Sequence, residues 1–218
     1  MKNILFALLA IATLFTSACV SEVSFVGSDV IASESRTVTG FDRITLTGTV
    51  DVNIIQGANL SVTVRANDNL LSEVETELRG STLEVGLSPG NFRNVRAEVN
   101  VVLPTLAGVS TTSTGDATVE NFTNLVGFSV DISSTGSVNI GNSTTDQLIA
   151  NLSGTGDMEA FGLTASTAEV NTTSTGSAEV TVINSLTGSL TGTGDISFRG
   201  NPSVDVIVTG TGEVVDAN

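Results

Sequence analysis

The chain of 218 residues contains no histidine, tryptophan or tyrosine, and its one lysine is Lys2. Those absences remove most side chains that serve as general bases or activated nucleophiles, leaving carboxylates and hydroxyls. Cysteine occurs once, at Cys19, so no disulfide can close within one chain. Basic residues are scarce: 8 Lys and Arg stand against 23 Asp and Glu, a formal net charge of −15. So acidic a surface repels nucleic acid and anionic lipid headgroups, and it favours solubility. From Ser110 onward the only basic residue is Arg199, too few for a lyase acting on acidic sugars. The C-terminal half also lacks any sustained apolar stripe at helical spacing.

What the chain does contain is a repeat. Thr-Gly recurs at Thr114-Gly115, Thr135-Gly136, Thr155-Gly156, Thr175-Gly176, Thr193-Gly194 and Thr211-Gly212, with Gly-to-Gly steps of 21, 20, 20, 18 and 18. A period near twenty residues marks a solenoid, in which each repeat buries its apolar face only against its neighbours. Apolar residues alternate before each Gly, as in Phe128, Val130, Ile132 and Leu148, Ala150, Leu152. They alternate again after it, as in Val138, Ile140 and Met158, Ala160. Alternation of this kind predicts half-buried strands on both sides of a corner. In that corner the Gly is expected to make the bend. The Ser or Gly two residues earlier fits a tight inner site, and Asp or Ser after the Gly suits a turn.

The N-terminus reads as a targeting segment. Residues 1–18 carry Lys2, an apolar run from Ile4 to Phe15 and a small-residue exit at Thr16-Ser17-Ala18. That run is too short for a permanent membrane span. Cys19 then falls where a bacterial lipobox places the cysteine that is lipidated, although Thr16 stands where such boxes usually have Leu. Ordinary cleavage after Ala18 is the alternative. Acylation would make a firm anchor, at about 0.8 kcal/mol per buried CH₂. Residues 19–35 are polar and read as a tether between anchor and body. The body spans 36–218: a less regular β section at 36–104, fit to cap an open end, and six Thr-Gly repeats at 105–218.

Within that section, Gly40-Phe41-Asp42-Arg43-Ile44, Gly48-Thr49-Val50-Asp51-Val52-Asn53-Ile54, Gln56-Gly57 and Asn67-Asp68-Asn69-Leu70-Leu71 resemble the family described as "putative auto-transporter adhesin, head GIN domain". The Gly-Thr-Gly-Asp repeats continue the resemblance to about residue 215. The resemblance implies a right-handed parallel β-helix, here about six regular rungs after irregular coils, in an exported bacterial protein. It implies no catalytic residues and no cofactor. Location would be the cell envelope, at the outer membrane or in the periplasm, with membrane contact only through the lipid anchor.

Strand alternation points two residues of each corner outward. These are Thr112 and Thr114, Ser133 and Thr135, Ser153 and Thr155, Thr173 and Thr175, Thr191 and Thr193, and Thr209 and Thr211. Stacked at ~4.8 Å, twelve hydroxyls would form a flat grid suited to a polysaccharide or a cell-surface component. The structural reading of the same residues is a Thr ladder that stabilises neighbouring strands. Four further readings compete with adhesion: a structural or envelope-stress accessory without its own ligand, a calcium site along Asp116, Asp157, Asp195 and Glu213, an ice-binding face, and carboxylate-based polysaccharide hydrolysis.

Overall fold

A computed structural model describes residues 23–218; the expected targeting segment and Cys19 lie outside the described residues. The chain forms a parallel β-solenoid. The six Thr-Gly corners bound five complete turns, stacked in register. One inward ladder runs Val109, Val130, Ala150, Val170, Gly188, Val206. A second runs Ala117, Val138, Met158, Ala178, Ile196, Val214 on the other side of the corner.

Each turn has a further inward side between those two. It holds Phe122 and Leu125, then Ser143 and Thr145, then Leu163 and Ala165, then Val182, all buried. The sequence hides this side because Ser143 and Thr145 interrupt the apolar pattern. Their hydroxyls turn back onto the backbone, Ser143 donating to Gly141 O at 2.8 Å and Thr145 to Gln147 O at 2.9 Å, so burial leaves neither unpaired. The step from 20 to 18 residues is also absorbed here. Ala160 and Ala168 pair with Val180 and Leu186, so the seven residues between them in one turn face five in the next.

The section at 36–104 does more than cap. Arg43–Leu46 and Asp51–Gln56 form the two corner strands of a turn beneath the first repeat, pairing with Gly108–Thr111 and Ala117–Glu120. Thr82–Leu87 and Ala97–Leu103 lie beneath that turn in turn. Stack order therefore departs from chain order, and 43–56 is sandwiched. Antiparallel strands close this end: Ile31–Arg36 on Ser61–Asn67, Ser61–Asn67 on Ala97–Leu103, and Val74–Arg79 on Thr82–Leu87. The expected tether is shorter than the sequence implied. Ser24–Val26 pairs with Asn91–Arg93, and Ile31–Arg36 is a ladder strand, so the folded body begins well before Arg36. The opposite end is less covered, with Val204, Ile207 and Val208 exposed.

The corner glycines have a different cause from the expected bend. None of the six adopts a positive φ; among the described glycines only Gly40, Gly80, Gly188 and Gly200 do. A Cβ on Gly136, Gly156, Gly176 or Gly194 would instead lie 2.1–2.2 Å from the carbonyl oxygen of the corner glycine one turn below. Gly154, Gly192 and Gly210 are blocked in the same way by Ser134, Ser174 and Gly192 carbonyls. At the corner glycines backbone rests on backbone, and a side chain there would separate the turns. Gly156→Ala is therefore expected to destabilise by about 3 kcal/mol in urea unfolding. Gly127→Ala, where a Cβ would meet nothing within 4 Å, should change stability by less than about 0.5 kcal/mol.

Candidate functional site

The corners carry the residues that the sequence marks as a face. All twelve are exposed, from Thr112 and Thr114 through Thr209 and Thr211. They do not lie on strands. Each Ser/Thr-x-Thr falls in the bend between two strands, so the hydroxyls line a ridge along the solenoid rather than a flat grid.

The two columns of the ridge also differ. In the first, Thr112 donates to Leu46 O at 3.1 Å, Ser133 to Thr111 O at 3.3 Å and Thr191 to Thr172 O at 3.4 Å. Those hydroxyls bond the turn below and serve the stack. In the second column, the hydroxyls of Thr114, Thr135, Thr155, Thr175, Thr193 and Thr211 make no hydrogen bond among the described residues, and all six residues are exposed. The first-column hydroxyls of Ser153, Thr173 and Thr209 are likewise unbonded among the described residues, so the stack presents at least one uncommitted Thr hydroxyl per turn, every ~4.8 Å.

The ridge has a seventh member that the sequence reading passed over. Thr47-Gly48-Thr49-Val50-Asp51 occupies the corner of the turn beneath the first repeat. Thr47 donates to Val85 O at 3.2 Å, as Thr112 does to Leu46 O, and Thr49 is exposed like Thr114. Val50 replaces the glycine and is fully buried, while its carbonyl oxygen supports Gly115. The T-x-T spacing before Asp51 was the available signal; the missing Gly concealed it.

The residues after the corner glycines form a continuous ladder of side chain to backbone bonds. Asp51 Oδ1 accepts from the Asp116 amide at 3.0 Å, and Asp116 Oδ1 from that of Ser137 at 2.8 Å. Ser137 Oγ accepts from Asp157 N at 3.1 Å, and Asp157 Oδ1 from Ser177 N at 2.7 Å. Ser177 Oγ and Asp195 Oδ1 then accept from Asp195 N and Glu213 N at 3.1 and 2.8 Å. These side chains hold amides that the bend would otherwise leave unpaired. The described residues contain no group of three or more Asp, Glu, His or Cys able to share a metal ion.

The sequence pattern of the family "putative auto-transporter adhesin, head GIN domain" matches residues 40–202, the span that supplies the sandwiched turn, its cap and nearly all the repeats. The chain belongs to this family. Solved relatives share the fold. A "putative adhesin" from Bacteroides fragilis superposes with a TM-score of 0.74 at 19% identity, over 87% of this chain and 98% of its own. A "putative lipid binding protein" from Parabacteroides distasonis gives 0.53 at 19%, over 89% and 100%, and a "putative adhesin" from Parabacteroides merdae 0.51 at 20%, over 88% and 99%. At such identities the GIN-domain likeness speaks to architecture alone. None of the curated proteins matches the chain.

If the Asp/Ser ladder sets the corner, removing one oxygen should loosen it. Asp157→Ala, which leaves the Ser177 amide without its acceptor, is expected to cost about 1 kcal/mol in thermal or urea unfolding. Asp157→Asn keeps an acceptor and should stay within about 0.5 kcal/mol of wild type.

Proposed function

We propose that this GIN-domain protein is a non-catalytic, exported binding module of the bacterial envelope, docking through its threonine ridge on a polysaccharide or another hydroxyl-rich cell-surface component. The observation that carries this reading is the row of exposed, uncommitted Thr hydroxyls, repeated at every turn of a rigid stack. An extended polymer is the shape such a row fits. Membership of a family described as adhesins supports the same direction. The chain also has no histidine or tyrosine, and no lysine beyond Lys2, to run acid–base chemistry.

Attachment to the membrane is assigned to Cys19. This rests on its place directly after the small-residue exit of the targeting segment, and no helix among the described residues is long and apolar enough to cross a membrane. Fractionated cells should show the protein with the envelope membranes and Cys19→Ser released in soluble form. Equal partitioning of the two would remove the lipid anchor.

Docking is tested with a panel of immobilised glycans and matrix polymers. The double variant Thr155→Lys, Thr175→Lys puts two long side chains on the ridge without touching the core. Binding is expected to fall at least about ten-fold, which is ~1.4 kcal/mol, with no shift in unfolding midpoint. Undiminished binding would show that the ridge takes no part, and binding to nothing would favour a structural accessory role.

A further inference from the structure

A hollow of about 390 Å³ opens at the foot of the threonine ridge. Thr49, the lowest ridge residue, lines it together with Asp51, Glu98, Arg65 and Arg96. Ile31 and Val95 contribute apolar surface. Three of the charged groups come from one transverse row. Asp51 pairs with Glu98 across the parallel ladder, and Glu98 pairs with Arg65 across the antiparallel one. All three sit on the outward side of strands whose inward residues, Val52, Val99 and Val64, are completely buried.

Most of the chain's other arginines have side-chain partners. Arg36 and Arg79 are ion-paired, Arg43 bonds Ser129, and Arg199 lies over the Phe161 ring. Arg65 and Arg96, like Arg93, make no hydrogen bond or ion pair through their guanidinium groups among the described residues, and these two line the hollow, with Glu98 standing beside Arg65 in the sheet. The carboxylates are half-committed. Asp51 uses Oδ1 for the Asp116 amide and Glu98 uses Oε1 for the Asn100 side chain at 2.7 Å, leaving one oxygen on each free. Asp51 and Glu98 are also like charges directly opposite each other, an arrangement that costs stability unless donors reach between them.

The hollow is held rigidly. Arg65 belongs to a strand paired on both edges. The Arg96 amide donates to Oδ1 of the fully buried Asn67 at 2.7 Å, and Arg96 O accepts from the Asn67 amide at 3.1 Å. The backbone carrying the donors is therefore fixed before any ligand arrives, and only the side chains remain to be ordered on binding.

We infer that this hollow binds a neutral saccharide unit. Its two guanidinium groups and two carboxylates cancel in charge, so a ligand with net charge gains little, and the acidic chain repels polyanions. Vicinal sugar hydroxyls both donate and accept. They would accept from Arg65 and Arg96 while donating to the free oxygens of Asp51 and Glu98, against the apolar surface of Ile31 and Val95. The volume accommodates more than one sugar ring. This inference deepens the reading of the protein as a glycan-binding module and rests on it. The site at the foot of the ridge would take a chain end or side branch of a polymer lying along the threonines.

The test is titration calorimetry of the protein with short neutral oligosaccharides (gluco-, manno- and galacto- series), an oligogalacturonate and a chitosan oligomer. A neutral oligosaccharide is expected to bind, with affinity changing less than about two-fold between 50 and 500 mM salt, since no net charge is neutralised. Arg65→Gln and Arg96→Gln should each weaken binding at least about ten-fold, in line with loss of a charge-assisted hydrogen bond. Both side chains are exposed, so an unchanged unfolding midpoint confirms that these variants fold. The ridge variant Thr155→Lys, Thr175→Lys should bind the oligosaccharide as wild type does. Failure of the ridge proposal is thereby read separately, on polymer. Three results would overturn the inference: no heat with any neutral oligosaccharide, unchanged affinity in both Arg variants, or tighter, steeply salt-dependent binding of the uronate or amino-sugar oligomer.

Discussion

Backbone stacks directly on backbone at the Thr-Gly corner, where the space above each carbonyl oxygen is too small for a methyl group. That contact lets successive turns close to strand spacing at their sharpest point. The remaining features of the corner depend on it. With the turns this close, a Ser or Asp side chain reaches the next amide, and the Asp/Ser ladder becomes possible. With the amides so held, the first-column hydroxyls can bond the carbonyls below. The outer Thr column remains unbonded after these requirements are met, together with Ser153, Thr173 and Thr209 of the first.

The protein thus separates structural from available chemistry at the scale of single residues. Within one corner the glycine sets the distance, the acidic or hydroxyl residue satisfies an amide, the first Ser/Thr supports the turn, and the second Thr faces water. The base of the molecule follows another rule. There the chain leaves the regular coil, the strands turn antiparallel, and most of the chain's arginines gather. A column of neutral hydroxyls meets a hollow of balanced charges, and neither surface favours a strongly charged partner.

Much of this was legible in the sequence. Period-two alternation about a fixed Thr-Gly predicts two strands meeting at a corner, and the spacing predicts stacking; both hold. The ridge residues are all exposed, as alternation required. Four points were not legible, each for a physical reason. The inner side carrying Ser143 and Thr145 looked polar because local hydroxyl-to-carbonyl bonds let those residues be buried. The turn at 43–56 looked irregular because Val50 is accommodated where every repeat needs Gly. Strands at Ser24–Val26 and Ile31–Arg36 looked like a tether because they pair on the cap's edge, where polar side chains face solvent. The hollow could not be read at all, since its charged groups come from three separated segments joined by pairing between strands.

The side that absorbs the change from 20 to 18 residues has a consequence for how such a molecule can vary. The corner admits no insertion, because an added residue would lift one backbone off the next. The bulged side admits two residues more or fewer without disturbing the ladders on either flank. Small differences in length therefore collect on that one side, while larger ones come as whole turns, each adding ~4.8 Å of height. The solenoid is in effect a ruler graduated in whole turns, with the hollow at its zero mark. Gaining or losing a turn would change how far the ridge extends without altering what is held at its base.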